Sequence, residues 1–450
     1  MTNKIPFSFT VTVGFMLFAL FFGAGNLIFP AMLGQSAGTN VWSANAGFII
    51  TGVGLPLLGI LALGFSGKSD LQSLASRVNP LFGLGFTVAL YLSIGPLFAI
   101  PRTATVSYEI GIKPYLSEGS GSVGLIIFSI IFFGITAFFS LNSSKIVDIV
   151  GKYLTPILLI VIAVLIGAAF FNPMGAFQAP AEAYVNGAFF KGFQEGYLTM
   201  DALAAFVFGI IVVNAVKEKG AKTKKEIMVS IAKAGVIASG LLAVIYTSLS
   251  FIGASSVTGL GALDNGGAVL SGTSAHYFGS FGALLLSVIV FGACLTTSIG
   301  LITACSSYFN KLMPKVSYKM FVVVLSIFSA VFANFGLSQL ITISVPVLVG
   351  IYPLAIALMA LTFLHPIFKG RKEVYQGSML FTFVVSLFDG LNAAGITFAP
   401  INDLFSAILP LYDVGLGWIV PSLAGGLIGL AIAVINGSSQ SNSSEVKKAA

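Results

Sequence analysis

Four groups of residues in this chain have types and spacing suited to binding charge inside an apolar environment. Phe193-Gln-Glu-Gly-Tyr-Leu-Thr-Met-Asp-Ala202 sets Glu195, Thr199 and Asp201 in a run that is otherwise apolar and continues as Leu203-Ala-Ala-Phe-Val-Phe-Gly209. Carboxylates at such positions are costly, so they face a protein interior and are functional by default. The structural alternative is an ion pair, or a helix-restart cap made by Asp201. Ala293-Cys-Leu-Thr-Thr-Ser298 supplies the hydroxyls of Thr296 and Thr297 and the carbonyl of Ala293, uncharged oxygens that suit a hard cation such as sodium. Helical Ser and Thr also simply bond the carbonyl a turn back. Gly95-Pro-Leu-Phe-Ala-Ile-Pro-Arg-Thr-Ala104 carries Arg102 between two prolines. A buried Arg needs a partner, and Glu195, Glu109 and Asp389 are the candidates, as a structural ion pair or a gate. Phe21-Phe-Gly-Ala-Gly-Asn-Leu-Ile-Phe-Pro30 holds the cluster Gly23, Ala24 and Gly25, then Asn26 as an expected N-cap and Pro30 near the first turn of a restarted helix. This spacing reads as a hydrophobic helix broken in its middle, with bare N–H groups on one side of the break and carbonyls on the other. A Gly-kinked, closely packed helix is the plainer reading.

The elements that must position these groups are membrane helices. Of 450 residues, 57% are hydrophobic and 8% charged, with mean hydropathy +1.00. Soluble domains carry roughly 25% charged residues. Twelve apolar segments can be drawn, at about 8–33, 41–65, 80–108, 122–141, 152–171, 192–216, 228–254, 279–310, 318–335, 338–364, 374–398 and 414–436. Most approach the roughly 20 residues needed to cross a bilayer. A tight hairpin is expected at Phe335-Gly336-Leu337, a Gly/Ser-rich loop over Ala254–Tyr277, and a disordered tail over 437–450. With a cytoplasmic N-terminus, 19 of the 22 Lys and Arg fall at inner loops and ends, Lys113 and Lys191 fall outside, and Arg102 lies within a span. That asymmetry sets the orientation and places both termini in the cytoplasm. The charge of +7 is spread over these loops and is no nucleic-acid signal. Cys294 and Cys305 lie too far apart along one segment for a disulfide, and two histidines make a His-based metal site unlikely.

The interruptions near Ala24 and Met200 are five segments apart. Five is odd, so a five-helix repeat must enter the membrane in the opposite sense the second time, the arithmetic of an inverted repeat. Paired breaks at corresponding positions of two halves point to a transporter binding site. A channel is disfavoured by the absence of charged rings and of a Thr-Val-Gly-Tyr-Gly filter, and an enzyme by the absence of a nucleophile with a base.

Phe22-Gly-Ala-Gly-Asn-Leu-Ile-Phe-Pro30, Gly95–Ala104, Gly196-Tyr-Leu-Thr-Met-Asp-Ala202 and Leu295-Thr-Thr-Ser-Ile-Gly300 together resemble the bacterial branched-chain amino acid:cation symporters of the APC superfamily, over essentially the whole chain. The resemblance implies an all-α membrane protein of 12 transmembrane helices with a LeuT-like 5+5 inverted repeat, discontinuous helices 1 and 6, and two C-terminal helices. It divides the chain into a first repeat (1–171), an extracellular loop (172–191), a second repeat (192–364), two further helices (365–436) and the tail (437–450). It implies sodium as coupling ion, with no organic cofactor, held by the carbonyls of Ala19, Phe22 and Ala293 and the hydroxyls of Thr296 and Thr297. The substrate would be Leu, Ile or Val. Its carboxylate would sit on the N–H groups of the Gly23–Asn26 break, chiefly Ala24 and Gly25, and its ammonium near Thr199, Met200 and Asp201. Asp201 departs from the LeuT pattern, so it could meet the ammonium, a second cation or a proton. The expected partners are an amino acid and membrane lipid, in the bacterial plasma membrane. An APC-type carrier of another amino acid or a nucleobase, coupled to protons, is the alternative.

Overall fold

The computed structural model describes residues 7–68, 70–116, 121–141, 155–218, 221 and 223–436, and no strand occurs among them. The expected tail, the start of the fifth segment and Lys4, Lys145, Lys152, Lys219, Lys222, Lys447 and Lys448 lie outside the described residues. In chain order the helices begin with α1 (Phe7–Phe21), α2 (Ala24–Ala37), α3 (Val41–Ile49), α4 (Leu55–Ser66), α5 (Leu71–Ala75) and α6 (Pro80–Leu92). There follow α7 (Ala99–Gly111), α8 (Gly121–Leu141), α9 (Thr155–Phe171), α10 (Glu182–Val185), α11 (Ala188–Glu195) and α12 (Asp201–Glu218). The last are α13 (Lys224–Leu260), α14 (Gly266–Leu312), α15 (Tyr318–Ala333), α16 (Leu337–Leu364), α17 (Lys372–Ala393), α18 (Ala399–Ile408) and α19 (Ile419–Ile435).

Seven spans are long and apolar enough, by length and composition, to cross a membrane: Ala24–Ser66, Pro80–Tyr115, Gly121–Leu141, Lys225–Leu260, Gly266–Leu312, Leu337–Leu364 and Lys372–Ala393. Shorter apolar helices cover Phe9–Phe21, Pro156–Phe171, Tyr318–Ala333 and Ile419–Ile435. Their outward faces are apolar. On α8, Val123, Ile127, Ile130 and Phe138 are exposed, and on α9, Ile160 and Val164. Contiguous apolar surface of this kind suits hydrocarbon rather than water.

Several expectations change in detail. Ala254–Tyr277 is not a loop. Helix α13 runs to Leu260, α14 starts at Gly266, and only the turn between them is irregular. The small residues there serve close packing, since a Cβ at Gly253 or Gly266 would overlap the α2 carbonyls of Ala31 or Ile28. Buried Gln35 on α2 clamps the turn, its Nε2 donating to Gly261 O (3.2 Å) and its Oε1 accepting from Leu263 N (2.9 Å). The hairpin at Phe335–Leu337 is tight as expected, with Gly336 at φ +82°. Segment 11 ends early at Ala393, and α18 follows; Asn392 and Asn402 exchange side-chain amide bonds of 2.8 Å across that turn.

The chain forms two compact units, one of Met1–Leu57, Tyr91–Ala204 and Ala232–Ser344, the other of Leu58–Leu90, Ala205–Ile231 and Val345–Ala450. In the first, α14 packs on α7 and α2, α11 on α3, and α15 on α8. In the second, α17 packs on α19 where Gly377 meets Gly425, and Ser378 and Ser422 hydroxyls lie 2.9 Å apart.

Candidate substrate and cation site

Both expected breaks are present, and the first unit brings them together. Phe22 and Gly23 separate α1 from α2, and Gly23 is extended (φ −124°, ψ −161°). In a continuous helix the Gly23 N–H would close a turn on the Ala19 carbonyl. Here it donates to Asn26 Oδ1 at 3.0 Å. Asn26 is therefore not the N-cap. Gly23 is, and Asn26 reaches back from the first turn, which leaves its amide nitrogen free to point elsewhere. Pro30 lies deeper in the helix than expected, in the second turn of α2.

The second break is built by α11, a 3₁₀ turn over Gly196–Thr199 and Met200, whose left-handed backbone (φ 63°, ψ 8°) lets α12 restart at Asp201. A non-glycine residue there stores about 1–2 kcal/mol of strain. Thr199 Oγ1 donates to Gly196 O (3.0 Å) and accepts from Asp201 N (3.4 Å).

Asn26 joins the two breaks. Its Nδ2 donates to Asp201 Oδ2 at 2.5 Å and also to the Tyr246 hydroxyl, which itself donates to Asp201 Oδ2 at 3.0 Å. All three side chains are buried, and the Tyr246 ring packs edge-on against Phe48. Tyr246 belongs to α13 and is not among the residues that the sequence singles out. A phenol in an apolar span needs a polar partner, and that was the available signal.

Arg102, on α7, enters the same region. Its Nη1 donates to Leu198 O at 2.7 Å and its Nη2 to Thr199 O at 3.5 Å, so it is bound to the carbonyls of the second break. Its guanidinium lies 4.9 Å from the centre of the Phe29 ring, over its face. A Cβ on Gly25 would come within 2.8 Å of Nη2. The expected Arg102–Glu195 ion pair is replaced by this arrangement. Glu195 faces Lys191 at 3.6 Å, and Glu109 faces Lys113 at 2.8 Å. Carbonyls freed by a helix break accept a guanidinium as a carboxylate does, and residue types alone do not reveal them. In the connection between α9 and α11, burial beside Glu195 pushes the Tyr184 phenol well above its usual range.

Three of the residues expected at the second site, Ala293, Thr296 and Thr297, lie together on α14. Thr296 and Thr297 hydroxyls both donate to Ala293 O, at 2.7 and 3.1 Å. This is the helical back-bonding expected of an ordinary Ser/Thr pair. Donation uses the hydroxyl protons and leaves oxygen lone pairs, which are what a hard cation takes. A Cβ at Gly23 would lie 3.2 Å from Thr297 Oγ1, so the first break abuts this pair. Phe22, after Ala19 and the last turn of α1, is buried and stacked on Phe18.

Comparison with known proteins agrees with the sequence resemblance. Residues 8–436 match the family described as branched-chain amino acid transport protein. The branched-chain amino acid permease BrnQ of Bacillus subtilis is 61% identical over 434 residues, covering 96% of this chain and 99% of that protein. The permease BraB of the same organism is 51% identical over 98% and 99%, and BrnQ of Escherichia coli K12 is 40% identical over 94% and 95%. Among solved structures, MHP1, a nucleobase-cation-symport-1 family transporter closed on bromovinylhydantoin, superposes with TM-score 0.61 at 12% identity, covering 94% of this chain and 91% of that one. MhsT in complex with L-phenylalanine gives 0.51 at 17% identity over 94% and 98%. These two likenesses establish a shared transporter fold, and the permease relatives make the chain a membrane transporter rather than an enzyme. Matched along almost its whole length, the chain belongs to the branched-chain amino acid transport protein family.

Proposed function

We propose that this protein imports leucine, isoleucine and valine across the bacterial plasma membrane, coupled to sodium, by alternating access. The observation that carries the reading is the meeting of the two helix breaks through Asn26 and Asp201, with Gly23 against Thr297 beside them. On this reading the chain crosses twelve times as a five-plus-five inverted repeat with two added helices and cytoplasmic termini, and the breaks are the paired interruptions of helices 1 and 6.

The Ala24 and Gly25 N–H groups, at the start of α2, hold the substrate carboxylate, since a helix N-terminus presents bare donors and positive potential. Carbonyls around Thr199 and Met200, with Asp201, take the ammonium. Asn26 keeps the Asp201 carboxylate aimed at that position. The oxygens of Ala19, Phe22, Ala293, Thr296 and Thr297 fit sodium, a hard cation, which would supply positive charge next to the first break. A pocket for an apolar side chain separates valine from isoleucine by only about 1–3 kcal/mol per methylene, so breadth across branched chains follows naturally. Competition tests the substrate class: unlabelled isoleucine and valine should block labelled leucine uptake, while lysine and uracil should not. Inhibition by uracil at comparable concentration would overturn the assignment.

A further inference from the structure

The second unit contains a groove of about 800 Å³ walled by α6, α16 and α17 and almost wholly apolar. Along α17 it is lined by Gln376, Phe383, Leu387 and Ala394 among others, and Phe383 and Leu387 remain exposed, so it is open along one side. From Gln376 to Ala394, just past the end of α17, it runs about 27 Å at 1.5 Å per residue, longer than the roughly 15 Å half of the bilayer core that one leaflet fills. Nothing in the transport mechanism uses it.

Its ends are unlike. At the far end it is lined by Leu391 and Ala394; at the near end it is lined by Val78, Asn79 and Gln376, and Arg77 and Lys372 lie just beyond these in the chain. At 3.6 residues per turn, Lys372, Gln376, Phe383, Leu387 and Ala394 fall within an arc of about 60°. Lys372 therefore continues the groove's own stripe one turn beyond Gln376. Arg77 is tied to the same end. Its guanidinium donates to Ser66 O (2.9 Å) and to the Tyr375 hydroxyl (3.3 Å), and Gln376 Nε2 donates to Val78 O (3.0 Å). Neither cation forms an ion pair among the described residues. This end also carries Lys369 and Arg371, the basic side of the chain.

We propose that this groove is a binding site for an anionic phospholipid, with the phosphate between Lys372 and Arg77 and one acyl chain lying along α17. The match is in polarity and charge. A zwitterionic lipid would fill the apolar part equally well, but only a net negative headgroup neutralises two cations that form no ion pair among the described residues. Lysine reaches its phosphate by running its aliphatic stem along the groove, keeping the ammonium at the interface.

The test places a tryptophan in the groove. Full-length protein carrying Leu387→Trp is reconstituted with phosphatidylglycerol or phosphatidylcholine brominated on the acyl chains, and quenching is measured as the difference from the parent protein. Ile160→Trp, on the exposed face of α9, reports ordinary surrounding lipid. At Leu387→Trp, phosphatidylglycerol should be preferred about 25-fold, since each of the two basic groups near the surface contributes about fivefold. The preference should fall about fivefold with Lys372→Gln, an exposed position whose loss leaves the fold intact, and should vanish with Arg77→Gln added. Ile160→Trp should show little preference. Equal quenching by both lipids at Leu387→Trp would reduce the groove to ordinary lipid-facing surface and overturn the proposal. Quenching by neither lipid, with Ile160→Trp quenched, would overturn it too, because the groove would then be covered by protein such as a second copy of this chain.

Discussion

Gly25 offers a quantitative test of how tightly the two breaks are locked. A Cβ there would stand 2.8 Å from Arg102 Nη2, 3.2 Å from Cζ and 3.2 Å from Phe29 Cε2. The Phe29 ring and the guanidinium already stack, so the methyl must displace the guanidinium. That breaks the 2.7 Å bond from Nη1 to Leu198 O. A hydrogen bond from a charged donor contributes about 1.5–3 kcal/mol. Against it stands the gain of Ala over Gly within a helix, at most about 1 kcal/mol. Gly25→Ala should therefore destabilise by about 0.5–3 kcal/mol. In an Arg102→Met background only the 3.2 Å approach to Phe29 Cε2 remains, which a ring freed of the guanidinium can relieve, and Gly25→Ala should become neutral or stabilising by up to about 1 kcal/mol. The coupling energy of the cycle is then about 1.5–3 kcal/mol. SDS-titration unfolding of the four proteins in mixed micelles measures it. If Gly25→Ala costs the same in both backgrounds to within about 0.5 kcal/mol, Arg102 does not hold the position described.

Tyr246→Phe keeps the ring against Phe48 and removes one donor to Asp201; leucine affinity should fall by roughly tenfold or more, the equivalent of about 1.5–3 kcal/mol, and unchanged affinity would make the phenol a packing group only. Thr297→Val, nearly isosteric, should mainly raise the sodium concentration for half-maximal uptake; a change in leucine affinity alone, at saturating sodium, would move the cation elsewhere. Asp201→Asn retains the shape and removes the charge, so leucine binding should weaken strongly while sodium binding without substrate changes little. Unchanged leucine binding by purified Asp201→Asn would leave Asp201 as a cap for α12. Gly266→Val should impair folding, because the side chain would overlap the Ile28 carbonyl of α2; normal yield and stability would contradict that packing.

How much of this was legible in the sequence differs from residue to residue. The breaks at Gly23–Asn26 and Thr199–Asp201 stand out because polar and flexible residues are expensive inside apolar runs, and the structure joins them directly. Tyr246 gives little signal because a tyrosine is half apolar and does not interrupt hydropathy. Arg102 was visible as costly, but its acceptors are the backbone carbonyls of Leu198 and Thr199, which carry no residue-type signature. The stretch after Ala254 differs from its expected loop because Gly and Ser have two uses. In water they mark loops, and between membrane helices they let backbones approach, as Gly253 and Gly266 do against α2. The exchange of cap roles between Gly23 and Asn26 reflects the same ambiguity on a smaller scale. Either residue can cap a helix, and the geometry chose the one whose partner could then reach Asp201.

The most direct test of the proposed coupling is uptake of labelled leucine into proteoliposomes holding the purified protein under an imposed inward sodium gradient. Saturable accumulation above the outside concentration is expected, and it should collapse when potassium replaces sodium or when the gradient is dissipated. Accumulation that ignores the sodium gradient and follows an imposed pH gradient instead, or equilibration without accumulation, would contradict sodium symport.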